Sequence, residues 1–435
     1  MRIAWCTPFA RRSAIGRISS LVVEELLSLA EVDIWHPQSA EMLDSSAPRI
    51  TLTGGPADAA RLATYDFAVY NMGNHAGNHA QIFEASRRTP GLVILHDIVL
   101  QDFFSDYYLS NPRRREHYAA ALRRWYGSAA IAAASDVISG TSHSFLESPR
   151  VLEFPLFEEA VAGAYAVVTH SEFAAERVRD ILPGIVRALP LPYALSAKAR
   201  IEPRDRLQIP PGRSLVVTVG DVNPNKCIRS VLEVLGNDAA LAAKVLYVVI
   251  GAAAENHRAE LSMLVTQYGL QDTVRFAGYA SEELLATYLT HADFCINLRF
   301  PNTEAASASA VEQLACGKPS IVFNTGFFAE LPDDCVLKVS VDRQREDLLN
   351  ALRRLTGDPP LRAKIGQRAQ AYARETFRAD RYARGIVEVG TELLDAKPLL
   401  AYTDRIGRQL SRMGVSSDQP LCSTVADVSN ALFGK

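Results

Sequence analysis

Glu304 and Glu312 stand eight positions apart within Asn297–Pro319, NLRFPNTEAASASAVEQLACGKP. An apolar run closes at Asn297, Pro301-Asn302-Thr303 reads as a loop, and small residues then open a helix that stops at Gly317-Lys318-Pro319. Ser307 is the expected N-cap. Ala305, Ala306, Ser307 and the two residues after them would present backbone N–H groups where the helix begins, beside side chains small enough for a ligand to come close. Eight positions are about two helical turns. One carboxylate then reaches a ligand at the helix mouth and the other a part farther along. Carboxylates accept hydrogen bonds from vicinal hydroxyls, so a sugar and a ribose suit the pair while phosphate oxygens suit the helix start. The plain alternative is an N-terminal acid and a surface glutamate.

Two further pairs lie where runs of apolar residues end. His96-Asp97 follows Leu92–Leu95, and His170-Ser171 follows Ala166–Thr169. Parallel sheets bind ligands at the carboxyl ends of their strands, so both pairs stand where a site would form. Asn71–His79, NMGNHAGNH, holds two histidines four apart, but no third ligand is evident and no metal is expected there.

The elements that must carry these residues follow one rhythm. Short apolar runs alternate with amphipathic helical patterns. The runs are Arg2–Cys6, Val32–Trp35, Asp66–Tyr70, Leu92–His96 and Ala166–His170, then Leu215–Gly220, Val245–Gly251, Val274–Phe276, Phe294–Asn297, Ser320–Phe323 and Val336–Val339. Continuous Val/Ile/Leu runs between helices argue for parallel sheets covered on both faces. The expected fold class is therefore α/β, with two Rossmann-like doubly wound domains. The first spans 1–195 and the second 205–378, joined near Tyr193–Arg213, a stretch rich in proline and charge. Helices over 342–355, 360–375 and 379–395 and a less regular tail follow, and those from 379 to 435 are expected to complete the first domain. Asn111–Ser135 reads as wholly helical, with five arginines within Arg113–Arg124 beside Tyr118, Trp125 and Tyr126. It is either a solvated helix or a contact for an anionic acceptor or membrane surface.

At 435 residues the chain is long enough for two such cores. Its 48% hydrophobic and 22% charged residues are ordinary globular composition, and a net charge of −3 gives no argument for nucleic acid. Six scattered cysteines without a C-x-x-C pair make a disulfide framework or zinc ribbon unexpected and suit reduced thiols in a cytoplasm. The N-terminus reads as a first strand rather than a signal peptide. No G-x-G-x-x-G turn is present, which excludes a nicotinamide oxidoreductase, and no two aspartates stand two positions apart, which removes the usual metal-binding pair of the other common transferase architecture.

The Glu304…Glu312 spacing, opening a small-residue helix that ends in Gly-Lys-Pro, resembles the signature of glycosyltransferase family 4, retaining enzymes of GT-B architecture. The resemblance implies that Glu304 contacts the transferred sugar and Glu312 the ribose hydroxyls. Thr218–Lys226, TVGDVNPNK, is similar to the family's strand-loop segment, so Asn223 and Lys226 would face the donor diphosphate. Many members carry Arg where this chain has Asp221 and Gly where it has Cys227. Arg299, just past a strand end, could supply the second phosphate cation. Gly278 and Tyr279 resemble the base-binding loop, Gly16 in Ser13–Arg17 the glycine loop that meets the diphosphate from the first domain, and His96 the strand-end histidine near the reacting carbon. Asp97, His170 and Ser171 would then lie toward the acceptor. The implied activity is transfer of a hexose from a nucleotide-diphosphate sugar, GDP-mannose ahead of UDP- or dTDP-sugars, to a saccharide or lipid-linked saccharide, with retention and without metal or other cofactor. The implied place is the cytoplasm, with peripheral attachment to the inner membrane face. An epimerase or hydrolase of the same fold, or a non-catalytic GT-B subunit, is the alternative.

Overall fold

Apolar runs that are β-branched and too short for helices become strands, and every strand pair in the two sheets is parallel. The computed structural model describes residues 1–37, 41–182, 184–193, 201–415 and 419–433. The first sheet consists of β1 (Arg2–Cys6), β2 (Glu31–His36), β3 (Arg49–Thr51), β4 (Phe67–Met72), β5 (Leu92–Leu95), β6 (Ala166–Thr169) and β7 (Ile185–Ala188), in the order β3-β2-β1-β4-β5-β6-β7. The second consists of β8 (Ser214–Val219), β9 (Val245–Ile250), β10 (Val274–Gly278), β11 (Phe294–Asn297), β12 (Ser320–Phe323) and β13 (Val336–Val339), in the order β10-β9-β8-β11-β12-β13. Each sheet reverses direction once, between β1 and β4 and between β8 and β11, and these reversals are where doubly wound sheets open a crevice.

Strand alternation divides each core in two. Along β1, Ala4 and Cys6 point into the cluster that holds Trp35, Tyr70 and the helices after β5. Ile3 and Trp5 point the other way, toward Val22 and Val23 of the helix Ala14–Leu26. That second face is closed from the far end of the chain. Helix Pro359–Thr376 packs Ala369 and Ala373 against Val311 and Leu314 of the second domain. Helix Ala379–Arg412 then crosses back and buries Tyr382, Ile386, Val389 and Leu393 under the first sheet. Burying one such aliphatic side chain contributes about 1.5–3 kcal/mol, so this helix is firmly part of the first domain. Its approach is close: a Cβ on Gly390 would lie 2.3 Å from the Phe67 ring, and one on Gly385 2.7 Å from Leu189.

Some elements differ from expectation. The edge strands β3 and β7 were not anticipated, because RIT and IVRA carry too few apolar residues to stand out. The stretch 111–135 is not one helix but Arg115–Tyr126 and Ser128–Ala133 with a break at Gly127, whose φ of +74° no helix admits. The helix from Ala379 does not stop near 395 but runs through Pro398 to Arg412. Of the expected joining stretch, 194–200 lies outside the described residues, as do 416–418 and 434–435 of the tail.

Candidate active site

The two domains meet through backbone. The chain leaving β5 pairs with the loop that follows β11: Asp97 and Glu304 form an antiparallel bridge, Ala305 N–H donates to His96 O at 3.0 Å, and Ile98 N–H donates to Thr303 O at 2.9 Å. Ser171 Oγ, at the end of β6, donates to Ala305 O at 2.6 Å. His96, Asp97, His170 and Ser171 of the first domain thus meet Glu304 and Ala305 of the second at one seam. Ala305 cannot offer its amide to a ligand, because His96 already holds it.

Lys226 and Arg299 lie just behind this seam. Lys226 closes the 3-10 turn Pro224–Lys226, and Phe300 N–H donates to Asn225 O at 2.8 Å, which draws the loops after β8 and β11 together. Lys226 is only 7% exposed, and its Nζ has Val219 O at 3.4 Å. Burial, and then the Arg299 charge, push its pKa down to about 7, against the pull of Glu304 and Asp221. Gly220, at φ +105°, makes room, since a Cβ there would sit 2.7 Å from Nζ. Arg299 is 1% exposed. Its Nη1 donates to Leu298 O at 2.8 Å and its Nη2 to Ser309 Oγ at 3.1 Å, while Nε stands 3.8 Å from Glu304. Arg299 Nε and Glu304 Oε2 are buried without a hydrogen-bond partner. Two buried cations therefore share Glu304, an arrangement that favours an incoming anion. The carboxyl of Asp97 is pushed up to about 7 by burial and then by Glu304. Asp221 is exposed. Cys227 takes φ +51°, a left-handed conformation that glycine adopts without strain.

Ser307 caps the helix Ala308–Ala315 in an extended conformation, but its hydroxyl lies 3.2 Å from Ser309 Oγ instead of on a backbone amide. Ala306 and Ser307 are buried at this helix start. Glu312 is half-buried beside Tyr193 and Arg17. Burial raises its pKa, while a hydrogen bond from Tyr193 and the Arg17 charge lower it. Tyr193 and Arg17 were not singled out in the sequence, because their proximity to Glu312 exists only in three dimensions.

The other expected donor residues are more scattered. Asn223 is exposed, and its carbonyl accepts from Lys226 N–H at 3.1 Å. Gly278, at φ +68°, and Tyr279, 81% exposed, close the edge strand β10, two strands from β8. Gly16 is closely packed: a Cβ there would lie 2.4 Å from Pro8 O, and its amide donates to Ser13 Oγ at 3.0 Å.

The histidines form a string. His170 Nδ1 lies 3.3 Å from Leu189 O, His170 Nε2 3.0 Å from His96 Nδ1, and His96 Nε2 3.0 Å from Asn71 Oδ1. Both ring nitrogens of His96 are committed within the first domain. Asn71, next to last in β4, is another member that sequence reasoning missed, although a polar residue near the end of an apolar strand was a usable signal. His79 sets its Nδ1 2.9 Å from Asn71 O, and among the described residues no three His, Cys, Asp or Glu side chains cluster as metal ligands.

The aromatics of 111–135 are spent inside. Tyr118 donates to Gln101 at 2.6 Å, Trp125 donates to Glu159 at 2.9 Å, and Tyr126 bonds Glu158. Arg114 pairs with Glu84 at 2.8 Å and lies over Tyr107, and Arg124 lies over Trp125, 3.8 Å from Glu159. Arg113, Arg115 and Arg123 are exposed. Among the described residues no helix is long and apolar enough to cross a membrane.

Comparison with known proteins agrees with this architecture. Residues 199–372 match the family described as glycosyl transferases group 1. The D-inositol 3-phosphate glycosyltransferase of Thermomonospora curvata is 27% identical over 258 residues, which cover 55% of this chain and 59% of that protein. Among solved structures, the sucrose-phosphate synthase of Thermosynechococcus elongatus superposes with a TM-score of 0.62 at 17% identity, over 91% of this chain and 100% of that one. Anabaena HepE, solved in complex with UDP and glucose, superposes with 0.61 at 16%, over 90% of this chain and 100% of that one. The chain has the GT-B fold, and the segment that carries Lys226, Arg299, Glu304 and Glu312 lies within the stretch that matches the glycosyl transferases group 1 family.

Proposed function

We propose that this protein is a retaining hexosyltransferase that moves a sugar from a nucleoside-diphosphate donor to a saccharide or lipid-linked saccharide. The observation that carries the reading is the pair of buried cations, Lys226 and Arg299, beside Glu304. A diphosphate supplies the negative charge this pair lacks. Lys226 would neutralise it as it leaves, which is the main electrostatic demand of the transfer. Arg299 would add its field from below, and amides from Ala306 onward would add N–H donors. These cations take the part that a divalent metal plays elsewhere, so donor binding is expected to be metal-independent. Glu304, at the seam, would hold the transferred sugar, and Glu312 would exchange its Tyr193 hydrogen bond for the ribose hydroxyls. The acceptor would attack on the leaving-group face from the side of Asp97, which the family resemblance associates with retention.

A thermal-shift screen against UDP, GDP, ADP and dTDP tests the donor reading, with GDP-mannose as the first sugar to assay and UDP-glucose, the ligand of another HepE structure, next. A nucleotide at 100 times its Kd adds about 2.7 kcal/mol of stability. Indifference to all four would sink the reading, and an inverted anomeric centre in the product would sink retention alone. The expected setting is the cytoplasmic membrane face. Arg113, Arg115 and Arg123 would act there by charge, about 1 kcal/mol each near an anionic surface. Sedimentation with anionic vesicles at low salt checks this: no binding, or binding unchanged when the three become Glu, removes the membrane and leaves a soluble acceptor.

A further inference from the structure

The string that runs through His96 has an arithmetic of its own. Four contacts link Leu189 O, His170, His96, Asn71 and Cys6 O, the last being Asn71 Nδ2 to Cys6 O at 3.1 Å. Both ends are carbonyl oxygens, which only accept. The Asn71 amide fills its Cys6 contact, so the two imidazoles must supply a hydrogen to each of the remaining three. Two neutral imidazoles carry only two ring hydrogens. Turning the Asn71 amide over does not help: its nitrogen then serves His96, but its oxygen faces Cys6 O. Every neutral arrangement leaves two acceptors opposed, and one added proton satisfies all four contacts. His96 and His170 are 7% and 3% exposed, with ring centroids 4.7 Å apart, so water does not make up the deficit.

We propose that His96 and His170 form a single-proton site, a buried imidazole–imidazolium pair in which His170 is the positioning residue that fixes the His96 ring. The proton comes from solvent, forms one N–H bond on a ring nitrogen and displaces nothing. The result is one positive charge at the carboxyl ends of β5 and β6, next in the chain to Asp97 and the seam that carries Glu304. The titratable groups around the pair are His79 from the helix Ala76–Arg88, Tyr382 from the C-terminal helix with its ring 5.8 Å from His170, and Asp97 and Glu304 at the seam. Burial opposes the proton and, against the pull of the Leu189 carbonyl, takes His170 down to about 4. The completed string works in the opposite direction, and a second proton has no contact left to fill. This inference does not depend on the donor reading.

The test is an NMR titration of the intact protein labelled with 15N-histidine, following ring nitrogens from pH 4 to pH 8. The expected result is one shared transition above pH 4, in which His96 and His170 shift together and take up one proton between them. Separate transitions adding to two protons would overturn the proposal, as would two rings that stay neutral down to pH 4. In His170→Gln the side-chain amide can donate to His96 Nδ1, leaving His96 neutral with its hydrogen on Nε2. Its transition should then vanish, and its survival at the wild-type midpoint would overturn the pairing. Circular dichroism checks that the variant folds, and if it does not, the proton count on wild type decides alone.

Discussion

Lys226→Met separates what the lysine does for a ligand from what it costs the fold. Its pKa falls from 10.5 to about 7 in the folded protein, mainly through burial. Between those values the unfolded chain holds more protons than the folded one, so stability contributed by this group rises with pH across that window, and its cost is fully present below pH 7. At about 1.36 kcal/mol per unit, the cost at pH 7 is on the order of 4 kcal/mol as an upper bound. Methionine keeps most of the buried chain length and removes the charge. The unliganded variant should therefore be more stable than wild type, by about 2–4 kcal/mol at pH 7 and about half that at pH 9. Urea unfolding at both pH values measures this.

Ligand binding should change in the opposite sense. One charge-assisted contact to phosphate contributes about 1.5–3 kcal/mol, so the best-binding nucleoside diphosphate should lose about 10- to 150-fold in affinity while its nucleoside loses little. Because an anion restores the lysine proton, wild-type affinity should also fall above about pH 7, by up to roughly tenfold per unit, with proton uptake visible in calorimetry across buffers. Equal losses for nucleotide and nucleoside, or a variant less stable than wild type at pH 7, would refute the reasoning.

Other outcomes follow from single contacts. Glu312→Ala should weaken nucleoside and nucleotide alike by roughly tenfold, as loss of one hydrogen bond to a charged group implies, and an effect confined to diphosphates would place Glu312 elsewhere. Asp97 keeps its proton up to about 7 when folded. The folded state then binds more protons than the unfolded one from about pH 4 to 7, so stability from this group falls as pH rises. Asp97→Asn should flatten that slope, and denaturation at pH 5 and 8 shows whether it does. Gly390→Ala should cost about 1–3 kcal/mol through overpacking against Phe67. Gly407→Ala, where a Cβ meets nothing within 4 Å, should gain up to about 1 kcal/mol, and thermal melts distinguish them.

The fold was legible where burial made its own signal. VLYVVI is buried at all six positions of β9, and its short length and β-branched residues mark a strand covered on both faces. The edge strands of the first sheet escaped because their apolar pattern thins to RIT and IVRA. The seam was half legible. Strand ends pointed to His96, Asp97 and His170 and a helix start to Glu304, but nothing in the sequence says that residues 97 and 304 pair through backbone. Asn71, Tyr193 and Arg17 escaped for the same reason, since each meets a partner more than 20 residues away. Gly16 carries a constraint that the sequence did not show, since a Cβ there would collide with the carbonyls of Pro8 and Ala10 in the preceding loop.

The backbone bridge between Asp97 and Glu304 also limits how the molecule can move. Two domains joined only by a linker swing like the halves of a book, with the spine at one edge. Here a pin runs through the middle of the opening, made by Ala305 N–H to His96 O, Ile98 N–H to Thr303 O and Ser171 Oγ to Ala305 O. Wide gaping would have to break these three bonds and those that Glu172 N–H and Phe173 N–H donate to the Glu330 carboxylate, whereas a small rotation leaves the pin itself intact. The low-cost motion is therefore a swivel, in which the outer lips of the crevice travel and its floor stays still. Glu304 sits on the axis and would keep its place through the cycle. Glu312, two turns along its helix, lies off the axis and would travel together with Tyr193, which packs against the same helix.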